Sequence, residues 1–176
     1  MRKFFRRFLP HHEVVKNNRW LRPFGRWLLQ PNLWHLNRRS VAGGVAVGLL
    51  CGLVPGPLQV ISSSLLAVWL RVNLPLAIFV TFYTNPFTIV PLYLLAYEMG
   101  ARISGTHNGM GAEQPVLPQM HWDSWPADML DWLVQLGQPL LIGLPLLAVS
   151  LALAGYFTVR VAWYLAVVWK WRHRHR

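Results

Sequence analysis

The sequence predicts an all-α integral membrane protein, and three observations support that fold class. Two long uncharged runs, residues 41–70 and 74–97, each exceed the ~20 apolar residues that are needed to span a bilayer. A third uncharged run follows at residues 132–159. Only 13% of the 176 residues are charged, whereas soluble domains carry about 25%. The hydrophobic block therefore points to lipid rather than to a soluble core.

Positive charge is concentrated at the two ends of the chain. Ten of the 17 basic residues lie in residues 1–40 and four more lie in residues 170–176, within a formal net charge of +11. This distribution is typical of the positive-inside rule, by which basic segments stay in the cytoplasm. It favours anionic lipid headgroups as partners of the basic arm and tail, and it argues against nucleic acid as a partner. Both termini are therefore predicted to be cytoplasmic.

Residues 1–40 interleave arginine with aromatic residues. Trp20, Phe24 and Trp27 share one face of a predicted helix, and Arg22 and Arg26 share the other. Short basic amphipathic helices of this kind lie in the headgroup plane. The arm is therefore predicted to be cytoplasmic and interfacial, and a solvated basic arm is the alternative.

The first uncharged run contains a glycine repeat and a helix break. Glycine recurs at every fourth position, at Gly44, Gly48, Gly52 and Gly56. Such a face lets membrane helices approach closely, so it predicts packing within the chain, against a second copy or against another membrane protein. Pro55 and Pro57 interrupt the helix, because each removes an amide donor. Each half is then ~21 Å long, short of the ~30 Å hydrocarbon core. Residues 41–70 are predicted to be either one kinked span or a re-entrant hairpin.

The second uncharged run has a similar break at Asn85-Pro86. Asn85 is a good N-cap residue, and Pro86 suits the first helical position. A second half-helix that carries Pro91 is therefore predicted to begin there.

The remaining segments complete a predicted topology. Residues 98–131 contain five of the six acidic residues and are predicted to form an irregular extracytoplasmic loop. Residues 132–169 form the third hydrophobic segment, and residues 170–176 form the basic tail. An even number of crossings keeps both basic ends in the cytoplasm. The most economical solution makes 41–70 re-entrant, with 74–97 crossing outward and the third segment crossing back in a multi-pass protein.

The sequence contains no signature of catalysis. No phosphate-binding loop, nucleophile elbow or HExxH motif is present, so no catalytic residue, metal or cofactor is predicted, and the protein is expected not to be an enzyme. Broken hydrophobic segments in matching positions are a sequence pointer to a transporter-like site. The residues predicted to bind the ligand are Gln59, Asn85, Thr88 and Tyr93 near the breaks, with Arg71 and Asn73 at the step that connects the two runs, where they could face a headgroup.

Two main functions remain open from these residues. One is transport or handling of an anionic lipid or solute at the paired broken helices. The alternative is a non-catalytic scaffold for membrane assembly. In both cases the polar residues at the breaks have a competing structural role, which is to satisfy backbone groups that the breaks leave free. An enzyme acting on lipids is a weaker third possibility.

Several short motifs resemble a known bacterial family. They are Gly48-x-x-x-Gly52-x-x-Pro55 with Gln59, Leu70-Arg71-x-Asn73, Asn85-Pro86-x-Thr88-x-x-Pro91, Gly100, and the preceding Leu33–Ser40. Together they resemble the "domain of unknown function" family numbered two thousand and sixty-two over about residues 30–170. The resemblance implies a small bacterial inner-membrane protein without an assigned activity, and it supplies no catalytic residues.

Overall fold

A computed structural model describes residues 31–34, 36–105 and 125–174. This part of the chain forms helices and turns without a strand, which confirms the predicted all-α fold class for the described residues. Residues 1–30 of the predicted arm, 106–124 of the predicted loop and 175–176 of the tail lie outside the described residues. The helices are α1 (Pro31–Trp34), α2 (Arg38–Cys51), α3 (Leu58–Leu70), α4 (Leu74–Thr81), α5 (Pro86–Ser104) and α6 (Trp125–Arg174).

The chain divides into two compact units. The first unit contains α1 to α4 and the part of α6 from Ala152 onward. The second unit, Phe82–Leu151, contains α5 and the earlier part of α6.

In the first unit, α2 packs against α4 through a face that has almost no side chains. A Cβ atom added at Gly44 would lie 2.7 Å from the carbonyl oxygen of Asn73, and one added at Gly48 would lie 2.6 Å from that of Ala77. Because both distances are far below van der Waals contact, glycine is required for this approach. The buried apolar residues around this contact are Leu33, Val47, Cys51, Ala67, Leu74 and Ala77.

The chain leaves the helical conformation between α2 and α3. The N–H of Gly52 donates to the carbonyl oxygen of Gly48 at 2.9 Å and closes the last turn of α2. Gly56 then adopts a φ of +69°, which glycine reaches without a steric penalty. Pro57 comes immediately before α3, and its missing N–H is no loss there because that position needs no intrahelical donor.

The start of α2 differs from the predicted start at residue 41. The helix begins earlier, at Arg38, because Asn37 caps it. The side-chain oxygen of Asn37 accepts a hydrogen bond from the N–H of Ser40 at 2.7 Å. The last residues of the predicted arm are therefore part of the first unit.

In the second unit, α5 and α6 are in backbone contact. A Cβ atom added at Gly143 would overlap the carbonyl oxygen of Ala96, and one added at Gly100 would overlap that of Pro139. The two glycines face each other: a Cβ on Gly100 would lie 2.9 Å from the backbone nitrogen of Gly143. This pair of glycines fixes the closest approach of the two helices.

Both helices extend into the predicted loop of residues 98–131. α5 continues to Ser104, and Arg102 pairs with Glu98 one turn earlier at 3.1 Å. Gly105 ends α5 with a φ of 73°. α6 begins at Trp125, so the last seven residues of the predicted loop, 125–131, are helical.

The long helix α6 carries the strongest membrane signal. Its segment Asp131–Trp171 is 41 residues long, and it is the one helix among the described residues that is long and apolar enough to cross a membrane. Only 22% of its most apolar window is buried. The regular backbone is interrupted once, at Gly137, where φ is 58° and ψ is −145°. An apolar helix with so little burial indicates membrane association.

Candidate functional site

The six predicted ligand-binding residues are divided between the two units. Those of the first unit are Gln59, Arg71 and Asn73, and those of the second are Asn85, Thr88 and Tyr93.

Asn85 and Thr88 form a capping box at the start of α5. The side-chain oxygen of Asn85 accepts hydrogen bonds from the N–H groups of Phe87 and Thr88, both at 3.0 Å. In return, the N–H of Asn85 donates to the Thr88 hydroxyl at 2.9 Å, and that hydroxyl donates to the carbonyl oxygen of Tyr83 at 2.6 Å. The predicted N-cap is thus confirmed. Both side chains satisfy backbone groups, which is the structural role that competed with ligand binding.

Substitutions at Asn85 separate the two roles. Asn85→Ala should lower the free energy of unfolding by about 1 kcal/mol, because the N–H groups of Phe87 and Thr88 lose their acceptor. Asn85→Asp and Asn85→Ser should keep wild-type stability, since both side chains can cap. Thermal unfolding in detergent measures this series, with Phe87→Leu as the control because Phe87 is exposed. If the Asp variant is as stable as the Ser variant but fails to complement a deletion strain, Asn85 contacts an anion as well.

Tyr93 is a core residue in this structure. Its side chain is fully buried, and its ring stacks on that of Trp132 at a centroid distance of 6.4 Å and an interplanar angle of 9°. Pro91 lies two residues earlier, inside α5, and is exposed. Tyr93 therefore holds α5 against α6 by aromatic packing.

Asn73 connects three elements of the first unit. Its side-chain oxygen accepts from the N–H of Leu76 at 3.0 Å and caps α4. Its own N–H donates to the carbonyl oxygen of Ser40 in α2 at 3.1 Å. Both Asn73 and Ser40 are almost fully buried. The Asn of the Arg-x-Asn motif is thus explained by local structure.

Arg71 differs from these residues because its side chain is exposed. Its backbone N–H donates to the carbonyl oxygens of Ala67 and Val68 and closes α3, with a left-handed φ of 55°. Arg38 and Arg39, at the first turn of α2, are also exposed. We refer to Arg38, Arg39 and Arg71 as the arginine cluster. Arg38 and Arg39 lie in the predicted arm, although asparagine before an apolar run, as in Asn-Arg-Arg-Ser, is a helix-start signal that indicates their place in α2.

Gln59 lies in the first turn of α3, where its carbonyl oxygen accepts from the Ser62 hydroxyl at 3.2 Å. None of the six predicted residues lines either of two apolar depressions on the described part of the chain. One, of about 420 Å³, is lined by Cys51, Ser62, Leu65, Leu66 and Trp69. The other, of about 430 Å³, is lined by Leu165, Ala166, Val168 and Trp169. Such linings suit hydrocarbon better than a polar solute.

The described residues also contain no group of three or more His, Cys, Asp or Glu side chains placed to hold a metal ion.

One known protein family matches residues of both units. A family model described as "Uncharacterized protein conserved in bacteria (DUF2062)" matches residues 21–172. The chain belongs to this family. The resemblance seen in the short motifs is thereby confirmed, and the DUF2062 match includes the arginine cluster as well as the Asn85–Thr88 cap. The chain matches no curated protein and no solved structure. Because the DUF2062 description states no activity, roles for individual residues come from their geometry in this chain.

Proposed function

We propose that this DUF2062 member is a non-enzymatic, multi-pass protein of the bacterial inner membrane that handles an anionic lipid. The observation that supports this most directly is α6, which exposes a long apolar surface and leads into a basic tail. Lipid is the solvent that such a surface requires. The anionic headgroups of the cytoplasmic leaflet complement the basic arm and tail.

The lengths of the short helices favour a re-entrant first segment. α2 has 14 residues and α3 has 13, so each is only about 20 Å long, whereas the hydrocarbon core is ~30 Å thick. A segment that enters and leaves on the same side accommodates both helices. Crossings by 74–97 and by α6 then return the chain to the cytoplasm.

Reporter fusions test this topology. A fusion after Gly111 should report the periplasm, and a fusion after Arg176 should report the cytoplasm, because the acidic loop lies between two crossings and the tail is basic. Alkaline phosphatase and a fluorescent protein, each fused at both sites, provide reciprocal signals. Cytoplasmic signals from both sites would exclude the two-crossing arrangement.

Handling of lipid is favoured over passage of a polar solute. The polar side chains at the second break cap α5, and the depressions on the described residues have apolar linings. Mass spectrometry of lipid that co-purifies with the protein from bacterial membranes tests this proposal. Enrichment of anionic phospholipid over its share of the membrane supports it, and a lipid composition equal to that of the membrane contradicts it.

A membrane scaffold is the alternative, and one surface favours it. The face of α3 that carries Leu58, Ile61, Leu65 and Trp69 is exposed and apolar, whereas Gly44 and Gly48 are already covered by α4. A scaffold would therefore bind a partner helix through α3. Cross-linking from Leu65 in intact cells distinguishes the two: a single discrete protein adduct supports a scaffold, and lipid adducts support lipid handling.

A further inference from the structure

The packing of α2 against the turn after α3 places the arginine cluster at one end of the first unit. The N–H of Asn73 donates to the carbonyl oxygen of Ser40 at 3.1 Å, and Gly43 and Gly44 lie against Val72 and Asn73. Arg38 and Arg39 come just before Ser40, and Arg71 comes two residues before Asn73. Three exposed arginine residues thus belong to the same end of the first unit.

The first unit supplies no internal counter-charge for this cluster. The sequence contains no Asp or Glu from residue 14 to residue 97 or from residue 132 to residue 176. The described part of the first unit consequently contains no carboxylate. Three positive charges at one end of the unit, without a carboxylate in its described part, attract an external anion. Phosphate suits arginine well, because the planar guanidinium donates two parallel hydrogen bonds to its oxygens.

The backbone of Arg71 gives a second reason to assign it a role. Its φ of 55° makes it the one non-glycine residue with a positive φ in the described part of the chain. Glycine is the usual residue at this position after a helix, since a side chain is strained there. The long charged side chain therefore stands at a position that disfavours side chains, and this makes Arg71 a candidate for a functional role.

Exposed apolar residues beside the cluster identify the source of the phosphate. Leu36, Trp69 and Leu70 have exposed fractions of 47%, 69% and 48%, and they are close neighbours in sequence of Arg38 and Arg71. Tryptophan next to arginine is typical of the level where headgroups meet hydrocarbon. A phospholipid satisfies both the charged and the apolar groups, whereas a soluble phosphate satisfies only the charged ones.

We propose that Arg38, Arg39 and Arg71 form a binding surface for the phosphate of an anionic phospholipid at the cytoplasmic side of the membrane. This inference rests on the proposed function and gives it a specific site. Of the predicted ligand-binding residues it retains Arg71, at the step between the two runs, and it adds Arg38 and Arg39 at the junction of α2, α3 and α4. The acyl chains lie against the exposed apolar residues at the same end.

Native mass spectrometry of the full-length protein in detergent tests the site. The probes are phosphatidylglycerol and phosphatidylcholine, added to delipidated protein over a range of concentrations. The wild type should prefer phosphatidylglycerol. The triple variant Arg38→Gln, Arg39→Gln and Arg71→Gln should lose at least about 10-fold in phosphatidylglycerol affinity, because each basic residue near anionic lipid contributes on the order of a fivefold gain.

Two further variants control for folding and for net charge. Arg71→Gly suits the left-handed backbone and removes the whole exposed side chain with its guanidinium, so it should weaken phosphatidylglycerol binding without lowering the melting temperature. Arg102→Gln is the matched control for Arg71→Gly, because it removes one exposed arginine outside the cluster, the arm and the tail, and it should bind within about twofold of the wild type. An equal loss in Arg102→Gln and Arg71→Gly would show unspecific attraction and would overturn the proposal, as would unchanged binding in both cluster variants.

The remaining outcomes separate this inference from the proposed function. A wild type that prefers phosphatidylglycerol while the cluster variants keep that preference contradicts the site alone. A wild type that does not distinguish the two lipids contradicts lipid handling as a whole. Competition by glycerol 3-phosphate at concentrations equal to the lipid would assign the site to a soluble phosphate and would also overturn the proposal.

Discussion

Replacing Gly143 with alanine should lower the free energy of unfolding by about 3 kcal/mol or more, at or above the upper end of typical overpacking costs. The added methyl group would overlap the carbonyl oxygen of Ala96 and approach the backbone nitrogen of Gly100 to 3.0 Å. Both neighbours are backbone atoms, so no side-chain rotation can make room. α5 and α6 must separate, and the stacking of Tyr93 on Trp132 is then lost as well.

Thermal unfolding in detergent measures this effect. A loss of this size corresponds to a melting temperature about 6–12 °C lower for a chain of this length. Gly155→Ala is the matched control on the same helix, because its new methyl group meets side-chain atoms alone, the flexible end of Leu49 and, at 3.2 Å, a methyl group of Val45. Equal melting temperatures for Gly143→Ala and Gly155→Ala would contradict the close contact between α5 and α6.

Leucine at Gly48 should be comparably disruptive in the first unit. Even a Cβ atom there would lie 2.6 Å from both the carbonyl oxygen of Ala77 and the Cβ of Val80, and leucine adds three more carbon atoms. α2 would be forced away from α4. We expect the free energy of unfolding to fall by about 3 kcal/mol or more, with Gly48→Ala intermediate between leucine and the wild type.

The control for this series is Ala46→Leu, which adds the same side chain on the same helix at a partly exposed position. Folded protein is quantified by size-exclusion chromatography and by thermal unfolding in detergent. Wild-type behaviour of Gly48→Leu would mean that α2 and α4 are not in contact. The outcome also bears on the arginine cluster, since the same α2–α4 contact holds Ser40 beside Asn73.

Local features of this fold follow from the sequence, and long-range features do not. Asn85 caps α5 because asparagine is a favoured N-cap residue and proline suits the first helical position, and both preferences are local. The contact between Gly100 and Gly143 joins residues far apart in the chain, and neither glycine belongs to the four-residue repeat that marks α2. Glycine spacing predicts that a helix can be approached closely, but it does not identify the helix that approaches it.

The residues of the candidate site also divide into those that a local pattern predicts and those that long-range packing brings together. Arg71 and Asn73 are predicted ligand-binding residues because they join two hydrophobic runs. In the structure, the side chain of Arg71 is exposed, whereas that of Asn73 is buried and caps α4. Arg38 and Arg39 are placed at the same end as Arg71 by long-range contacts, the hydrogen bond between Asn73 and Ser40 among them. No local pattern specifies that bond, because it depends on how α2 packs against α4.

The length of α6 has a consequence for the membrane around it. Residues 139–169 contain a single charge, Arg160, and at 1.5 Å per residue they extend about 46 Å, well beyond the ~30 Å hydrocarbon core. Arg160 donates to the hydroxyl of Tyr156 at 3.2 Å, and its guanidinium carbon lies 5.5 Å from the centroid of that ring, so its charge is held along the helix. In the proposed placement this excess is a positive hydrophobic mismatch, which tilting of the helix or local thickening of the bilayer must absorb. Bilayer thickness should therefore set the tilt of α6: the helix should lie closer to the membrane normal in longer-chain lipids and tilt further from it in shorter-chain lipids.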